Sequence, residues 1–556
     1  MRRFQTLSPF LLALCALGAA AGSNPLQEVP HGIDPTHIRA HLVFLADDLL
    51  EGRAPGTRGE RLAANYLASQ LAQSRVEPAR GSYFQPVPLI AWRPDPRRTS
   101  ATVSTKATNM TPSALRYPSD VVLWVDAADS ASVTGELVFV GYGVRAPEYQ
   151  WDDYKKRDVR GRIVVVLVGD PPVPPGQPLN FEGPAVTYYG RWTYKLEEAA
   201  RQGAAAVLLV HSTDGAGYAW RVVEASWTRE RLALAANADS ATSPLRLQGW
   251  VTTDAARRTF ALANLDFTEL FVRAARRDFQ PVYTGITGRL NAVGRTRRVD
   301  ATNVIGVVPG RSPARRGEAV IYTAHYDHLG IGLPVNGDSI YNGAYDNASG
   351  VAVLLEIAEA FAALPTPPER TVIFLFTTAE EAGLLGAQHY IRQPLLPITR
   401  TVAALNIDGA NVWGETNDAG AVGLERSTLG GVFQLHAGAL GLQVQAERAP
   451  EKGFFYRSDH FAFARAGVPA LSFDHGLLYR DRPPGWGEEL LSRYEADRYH
   501  QPDDEFDPAF DLAGAAQQGQ LAFLVGLDVA NTPLPPRWHR DPGVPRAIPR
   551  ARETRR

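Results

Sequence analysis

The sequence predicts an α/β fold: a mostly parallel, mixed sheet flanked by helices, with a β-rich unit inserted. Three features carry this reading. Between residues 285 and 534, short apolar runs alternate with helical stretches: AVIYTA, GVAVLLEIAEAFAAL, VIFLF, a helix through GLLGAQHYI, then VAALNI. Continuous apolar strands separated by helices indicate a parallel sheet covered on both faces. Residues 33–75 place apolar side chains at three- and four-residue spacing in IRAHLVFLADDLL and RGERLAANYLASQLA, the period of amphipathic helices. Residues 105–284 read differently, as short β-rich runs (VVLWV, ELVFVGYGV, RIVVVLVG) punctuated by glycine, proline and aromatics.

Taken in chain order, residues 1–22 read as an export signal. Arg2 and Arg3 precede FLLALCALGAAA, an apolar core ending in small residues. That run is shorter than the roughly 20 apolar residues a membrane span needs. An exported protein, periplasmic or secreted and without stable membrane insertion, is therefore expected. Residues 23–104 form the first part of the α/β domain, with EGRAPGTRG as a loop between two helices and YFQPVPLIAWRPDP as a strand. Residues 105–284 are the insertion. Its YYGRWTYK segment (188–195) reads as packing, or as a wall of a substrate pocket. Residues 285–534 complete the α/β domain. Residues 535–556, rich in Arg and Pro, are expected to be a disordered tail.

Composition narrows the function. The chain has 556 residues, 45% hydrophobic and 21% charged, a globular balance too long for one ordinary core. A formal charge of -2 argues against a general nucleic-acid binder. Cys15, inside the expected signal, is the only cysteine, so a processed chain has neither disulfides nor thiolate ligands.

In open α/β sheets the functional crevice lies at the carboxyl ends of the strands. AVIYTA is followed by His325, Tyr326, Asp327 and His328; VIFLF leads to Glu380 and Glu381; VAALNI leads to Asp408; and the loop NGAYDNASG supplies Asp346. Each alone has an ordinary explanation: a turn aspartate, a helix cap, a solvated loop. Their recurrence at successive strand ends points to a metal site. Nitrogen and carboxylate ligands without sulfur suit zinc, with manganese or cobalt also compatible. A two-metal site needs a bridging carboxylate and a second histidine, and His460, His475 and His500 are available. No H-E-x-x-H, G-x-S-x-G or phosphate-binding P-loop pattern is present.

The motifs HYDHLG, GAYDNASG, TTAEEAGLLGAQHY, LNIDG, YRSDHFAF with GVPA, and YHQPDDEF resemble, in order, those of the dizinc aminopeptidases. That family includes aminopeptidase Y and is related to glutamate carboxypeptidase II and glutaminyl cyclase. GYGVRAPEYQWDDYKKRDVRGRIVVVLVGDPP in the insertion resembles a protease-associated domain. The resemblance implies a zinc-exopeptidase (phosphorylase/hydrolase-like) fold and two zinc ions bridged by Asp346. One ion is further held by His325 and Asp408, the other by Glu381 and His500. It implies Glu380 as general base, Asp327 orienting His325, Tyr499 stabilising the oxyanion, and a cis peptide after Asp346. His460 and His475 are left structural or pocket-lining. The expected activity is removal of N-terminal residues from peptide substrates. Cleavage from the carboxyl end, or a non-catalytic receptor-like role, are the alternatives. A full ligand set disfavours the receptor role.

Overall fold

The computed structural model describes residues 32–105, 112–126, 128–172, 181, 183, 185–216, 218–235 and 245–539. The expected export signal lies outside these residues, as does the tail beyond residue 539.

Four parallel strands form the centre of the larger sheet. Their order is Thr371–Thr377, Ala319–His325, Thr401–Ile407 and Ala470–His475. Every residue of the first three is buried, which is why they are largely apolar rather than alternating. Alternate side chains face opposite layers. Val320, Tyr322 and Ala324, with Val372, Phe374 and Phe376, join a core shared with helices Pro35–Leu45, Arg58–Gln73, Gly350–Ala362 and Ala513–Asn531. Ile321, Ile373 and Leu375 point the other way, into a core shared with helices Leu385–Arg392 and His460–Arg465. Antiparallel strands close the sheet: Asp418–Val422 beside Ala470–His475, and the end of Val282–Val308 beside Thr371–Thr377. The fold is thus the mixed, mostly parallel α/β sheet that the sequence predicts.

The inserted unit has its own sheet. Strands Ser130–Phe139, Ile163–Leu167, Ala206–His211 and Leu247–Thr252 run parallel in that order, with Val121–Trp124 antiparallel at the end. Two features tie the sheets together. The strand Val282–Val308 pairs with Ser130–Phe139 up to Val293, then with Phe84–Pro94 from Gly294 onward. Arg231–Leu234, inside the insertion in sequence, pairs with Phe84–Pro94 in the larger sheet. The seam therefore falls within one continuous strand, at Gly294, where a Cβ would lie 2.5 Å from the Arg93 carbonyl. Tyr188 and Tyr189 are buried, with the Tyr188 ring 5.1 Å from Phe461, so the YYGRWTYK segment packs the insertion onto the larger domain.

Helix Ala513–Asn531 is seated on the His325 strand by a close backbone approach. The Tyr322 hydroxyl donates to the Ala522 carbonyl at 2.7 Å, and a Cβ on Gly526 would lie 1.7 Å from that hydroxyl. Gly526→Ala should therefore destabilise the protein by about 1–3 kcal/mol through overpacking. Tyr322→Phe in the same chain should restore part of the loss, as read by thermal melts.

Candidate metal centre

Parallel strand direction brings the chemistry to one edge. His325 is the last residue of its strand, Asp408 follows Ile407, and Glu380 and Glu381 follow Thr377 after a short bend. That bend places Ala379 in the left-handed region, at φ 55°, so the chain turns sharply before the two glutamates. Asp346 sits between Gly343 and the helix starting at Gly350. A side chain at position 343 would meet the Asp346 carbonyl at 2.1 Å and the His328 ring at 2.5 Å, so glycine is required there. The Asp346–Asn347 peptide is cis.

Asp346 is the shared member of two sets. Its Oδ1 lies 3.1 Å from His325 Nε2, which is also 3.1 Å from Asp408 Oδ1. Its Oδ2 lies 3.3 Å from His500 Nε2, which is 3.1 Å from Glu381 Oε2. The structure thus brings together His325, Asp346, Asp408, Glu381 and His500, with Glu380 and Asp327 buried beside them. His325 Nδ1 faces the Asp327 backbone carbonyl at 3.1 Å, leaving Nε2 turned to the carboxylates. The Asp327 carboxylate is farther, at 3.8 Å, and accepts the Glu380 backbone N–H at 3.1 Å. Asp327 therefore contacts His325 through its carbonyl and the Glu380 backbone through its side chain. Tyr499 is 45% exposed and stacks on the His500 ring at 3.9 Å between centroids. His475 Nε2 meets the Tyr345 hydroxyl at 3.1 Å. His460 is fully buried, edge-on to Phe455. Neither of these two joins the carboxylate cluster.

The donor set fits two zinc ions. Ligands at about 2.0–2.1 Å on a tetrahedral ion stand about 3.3 Å apart, close to the separations above. Glu381 Oε1, His500 Nε2 and both His328 ring nitrogens are buried without a well-aligned hydrogen bond, as expected of atoms shaped for another partner. The clustered charges perturb one another. Burial, with the charges of Asp408 and Glu381, raises the Glu380 carboxyl well above its ordinary value, against the pull of His325. Burial likewise pushes Asp327 up to about 8. Burial opposes the charge on Glu381 too, but His500 and His328 hold it down at about 2. Burial would lower His500, yet Glu381 and Asp346 raise it to about 10.

Several residues have no assigned role in the sequence reading. His328 Nδ1 lies 2.8 Å from Glu381 Oε1, and His328, Asp346 and Glu381 offer ligand atoms within 4.8 Å of one another. Asp504 accepts the backbone N–H of Tyr345 at 3.0 Å and of Asp346 at 3.1 Å. Ser458 donates to Asp408 Oδ2. The EGRAPGTRGE segment is a brace rather than a plain loop. Arg53, 1% exposed, donates to the carbonyls of Tyr326 (2.7 Å), Asn342 (2.6 Å), Gly343 (3.0 Å) and Leu45. It thereby clamps the His325 loop to the Asp346 loop. Glu60, equally buried, accepts from Thr378, Gly56 and the Thr302 backbone, holding the turn that leads to Glu380. The signal was the pair of charged residues flanking a glycine-rich turn, but the partners that tie them to the site lie over 200 residues away.

Residues 303–526 match peptidase family M28. The M28 region therefore holds all the clustered residues from His325 to His500. The leupeptin-inactivating enzyme 1 of Streptomyces exfoliatus is 27% identical over 264 residues, 45% of this chain and 56% of that enzyme. Aminopeptidase YwaD of Bacillus subtilis (strain 168) is 26% identical over 215 residues, 37% of this chain and 40% of its own length. The chain thus spans about half the length of these curated relatives. An aminopeptidase from Aneurinibacillus sp. strain AM-1 shares the fold across the M28 region and the insertion. The TM-score is 0.50 at 18% identity, covering 91% of this chain and 96% of that one.

Two outcomes follow. Arg53→Ala leaves buried carbonyls unpaired at roughly 1–3 kcal/mol each, so melting temperature and zinc retained after dialysis should fall together. Burial, with Arg426, lowers His460 to about 3. Below the ordinary value of 6.5 the unfolded chain takes up a proton that the folded one refuses. Stability from this residue is complete above that value and falls by up to about 1.4 kcal/mol per pH unit as pH drops towards 3. His460→Phe should move the acid-unfolding midpoint to lower pH.

Proposed function

We propose that the chain is a dizinc exopeptidase of the aminopeptidase type. The observation that carries this reading is Asp346, whose two oxygens face separate histidine–acid pairs, His325 with Asp408 and His500 with Glu381. The M28 match supports a peptidase hydrolase more broadly, and an aminopeptidase shares the fold. When bound, the ions supply Lewis acidity and lower the pKa of water to about 7. His325, Asp346 and Asp408 would hold one, and Asp346, Glu381 and His500 the other.

The remaining work belongs to the chain. Glu380 is 8% exposed, anchored by its backbone to Asp327, and lies next to a proposed ligand without having to be one. It takes a proton from the attacking water and returns it to the leaving amine. Tyr499, at the exposed rim beside His500, donates to the oxyanion as the substrate settles. The insertion, protease-associated in type, lies against residues 450–465: Val186 N–H donates to Pro450 at 3.2 Å, and Glu197 pairs with Arg465 at 2.9 Å. That segment carries Ser458, so the insertion is read as one wall of the substrate cleft. Export follows from the reading of residues 1–22.

Glu380→Gln should retain zinc and lose about 10²–10⁴-fold in kcat, measured by steady-state kinetics beside metal analysis. Amino-acid p-nitroanilides should be hydrolysed and N-blocked dipeptides should not. The reverse preference would establish a carboxypeptidase. Chelator should abolish turnover and zinc should restore it.

A further inference from the structure

Three adjacent parallel strands carry a row of polar side chains inside an otherwise apolar sheet. Thr323 stands opposite Asn406, and Asn406 stands opposite Ser472. All three are buried. Thr323 and Asn406 lie two residues before His325 and Asp408, the spacing that puts side chains on one face of a sheet. We propose that Asn406, held by Thr323, is a positioning residue for the metal centre: it aims the Ser458 hydroxyl at Asp408, so that Asp408 meets its zinc through one oxygen. The inference rests on the two-ion reading above.

The direction of each hydrogen bond follows from the last one. Ser458 Oγ lies against Asp408 Oδ2. An ionised carboxylate only accepts, so the hydroxyl proton points there. Ser458 Oγ then accepts from Asn406 Nδ2, which stands 2.7 Å away and also reaches Ser472 Oγ at 3.0 Å. This turns the Asn406 carbonyl to the other side, where the Thr323 hydroxyl donates to it at 2.6 Å. With its donor and acceptor ends both engaged, the amide has one orientation. Without the Thr323 hydroxyl the amide could reverse, and a reversed amide would draw the Ser458 proton away from Asp408.

The relay acts on the one freedom that Asp408 retains. Asn347 accepts the Gly409 N–H at 2.9 Å and donates to the Ile407 carbonyl at 2.9 Å, which fixes the backbone on both sides of Asp408. Rotation of the carboxylate remains. Ser458 occupies Oδ2, and Oδ1 faces His325 Nε2 at 3.1 Å. On the other side of the centre, Glu381 Oε1 is buried without a well-aligned hydrogen bond, so the relay bears on one ion of the pair. Apolar residues of the same shape could serve the strands nearly as well. Stability alone therefore does not call for the polar row, whereas a ligand at its end does, because ligating carboxylates are themselves held by hydrogen bonds.

The test strips the full chain with chelator and titrates it with zinc against a chromophoric competitor, which gives a dissociation constant for each ion. Ser458→Ala should raise one of the two constants by about 10–100-fold and leave the other unchanged. Asn406→Leu should raise the same constant by about tenfold, and Thr323→Val should raise it by less. In a Ser458→Ala background neither change should weaken zinc further, as a double-mutant cycle requires of residues that act through a shared partner. If Asn406→Leu does not fold, Thr323→Val with Ser458→Ala completes the same cycle. Unchanged constants in Asn406→Leu and Thr323→Val, or equal losses with and without the Ser458 hydroxyl, would overturn the relay. A parent that binds a single zinc, weakened by Thr323→Val only while Ser458 is present, would refute the two-ion reading and uphold the relay.

Discussion

The structure is organised around the cost of gathering carboxylates in a dry place. Asp327, Asp346 and Glu380 are buried, with Glu381 and Asp408 beside them at one sheet edge and Asp459 and Asp504 immediately behind. Like charges so placed repel strongly in a low dielectric. The fold tolerates them because imidazoles, backbone N–H groups and one buried guanidinium are directed at the same edge. Burial lowers even Arg53 to about 10, while Asp327, Asp504 and Asp346 act to keep it charged. The strands that deliver the acids are mostly apolar, and their charged groups are confined to the carboxyl ends.

Much of this arrangement was legible in the sequence. VIFLF, AVIYTA and VAALNI announce buried strands by composition alone, and in a parallel sheet their carboxyl ends must lie together. The convergence of His325, Glu380, Glu381 and Asp408 follows from topology without knowledge of any distance. His500 was harder. It lies in a loop, at φ 58°, with no strand to place it, and the motif order alone distinguished it from His460 and His475. Arg53 and Glu60 were not legible because their partners are backbone groups and a threonine hydroxyl, which leave no pattern in composition. Asp327 was named through the resemblance, but its contact with His325 is made by a carbonyl that every residue possesses.

The insertion was legible as a change of texture but not as an attachment. Its β-rich runs do form a separate sheet, yet Arg231–Leu234 crosses back to extend the larger one. A four-residue strand with intermediate burial carries too little periodicity to reveal which sheet it joins. The aromatic residues that looked chemically suggestive, Tyr188 and Tyr189, are occupied by packing and by hydrogen bonds to Glu197 and Glu148.

The strand Val282–Val308 has a mechanical meaning beyond its pairing. Because one continuous strand, paired on each side of the seam, passes from one sheet into the other, it acts as a stiff axle rather than a hinge. Swinging the inserted unit away would require breaking consecutive backbone hydrogen bonds or wringing the strand about its own length. Molecules reaching the acidic edge must therefore be admitted by local movement of the turns around it, and the width of the passage is set when the chain folds.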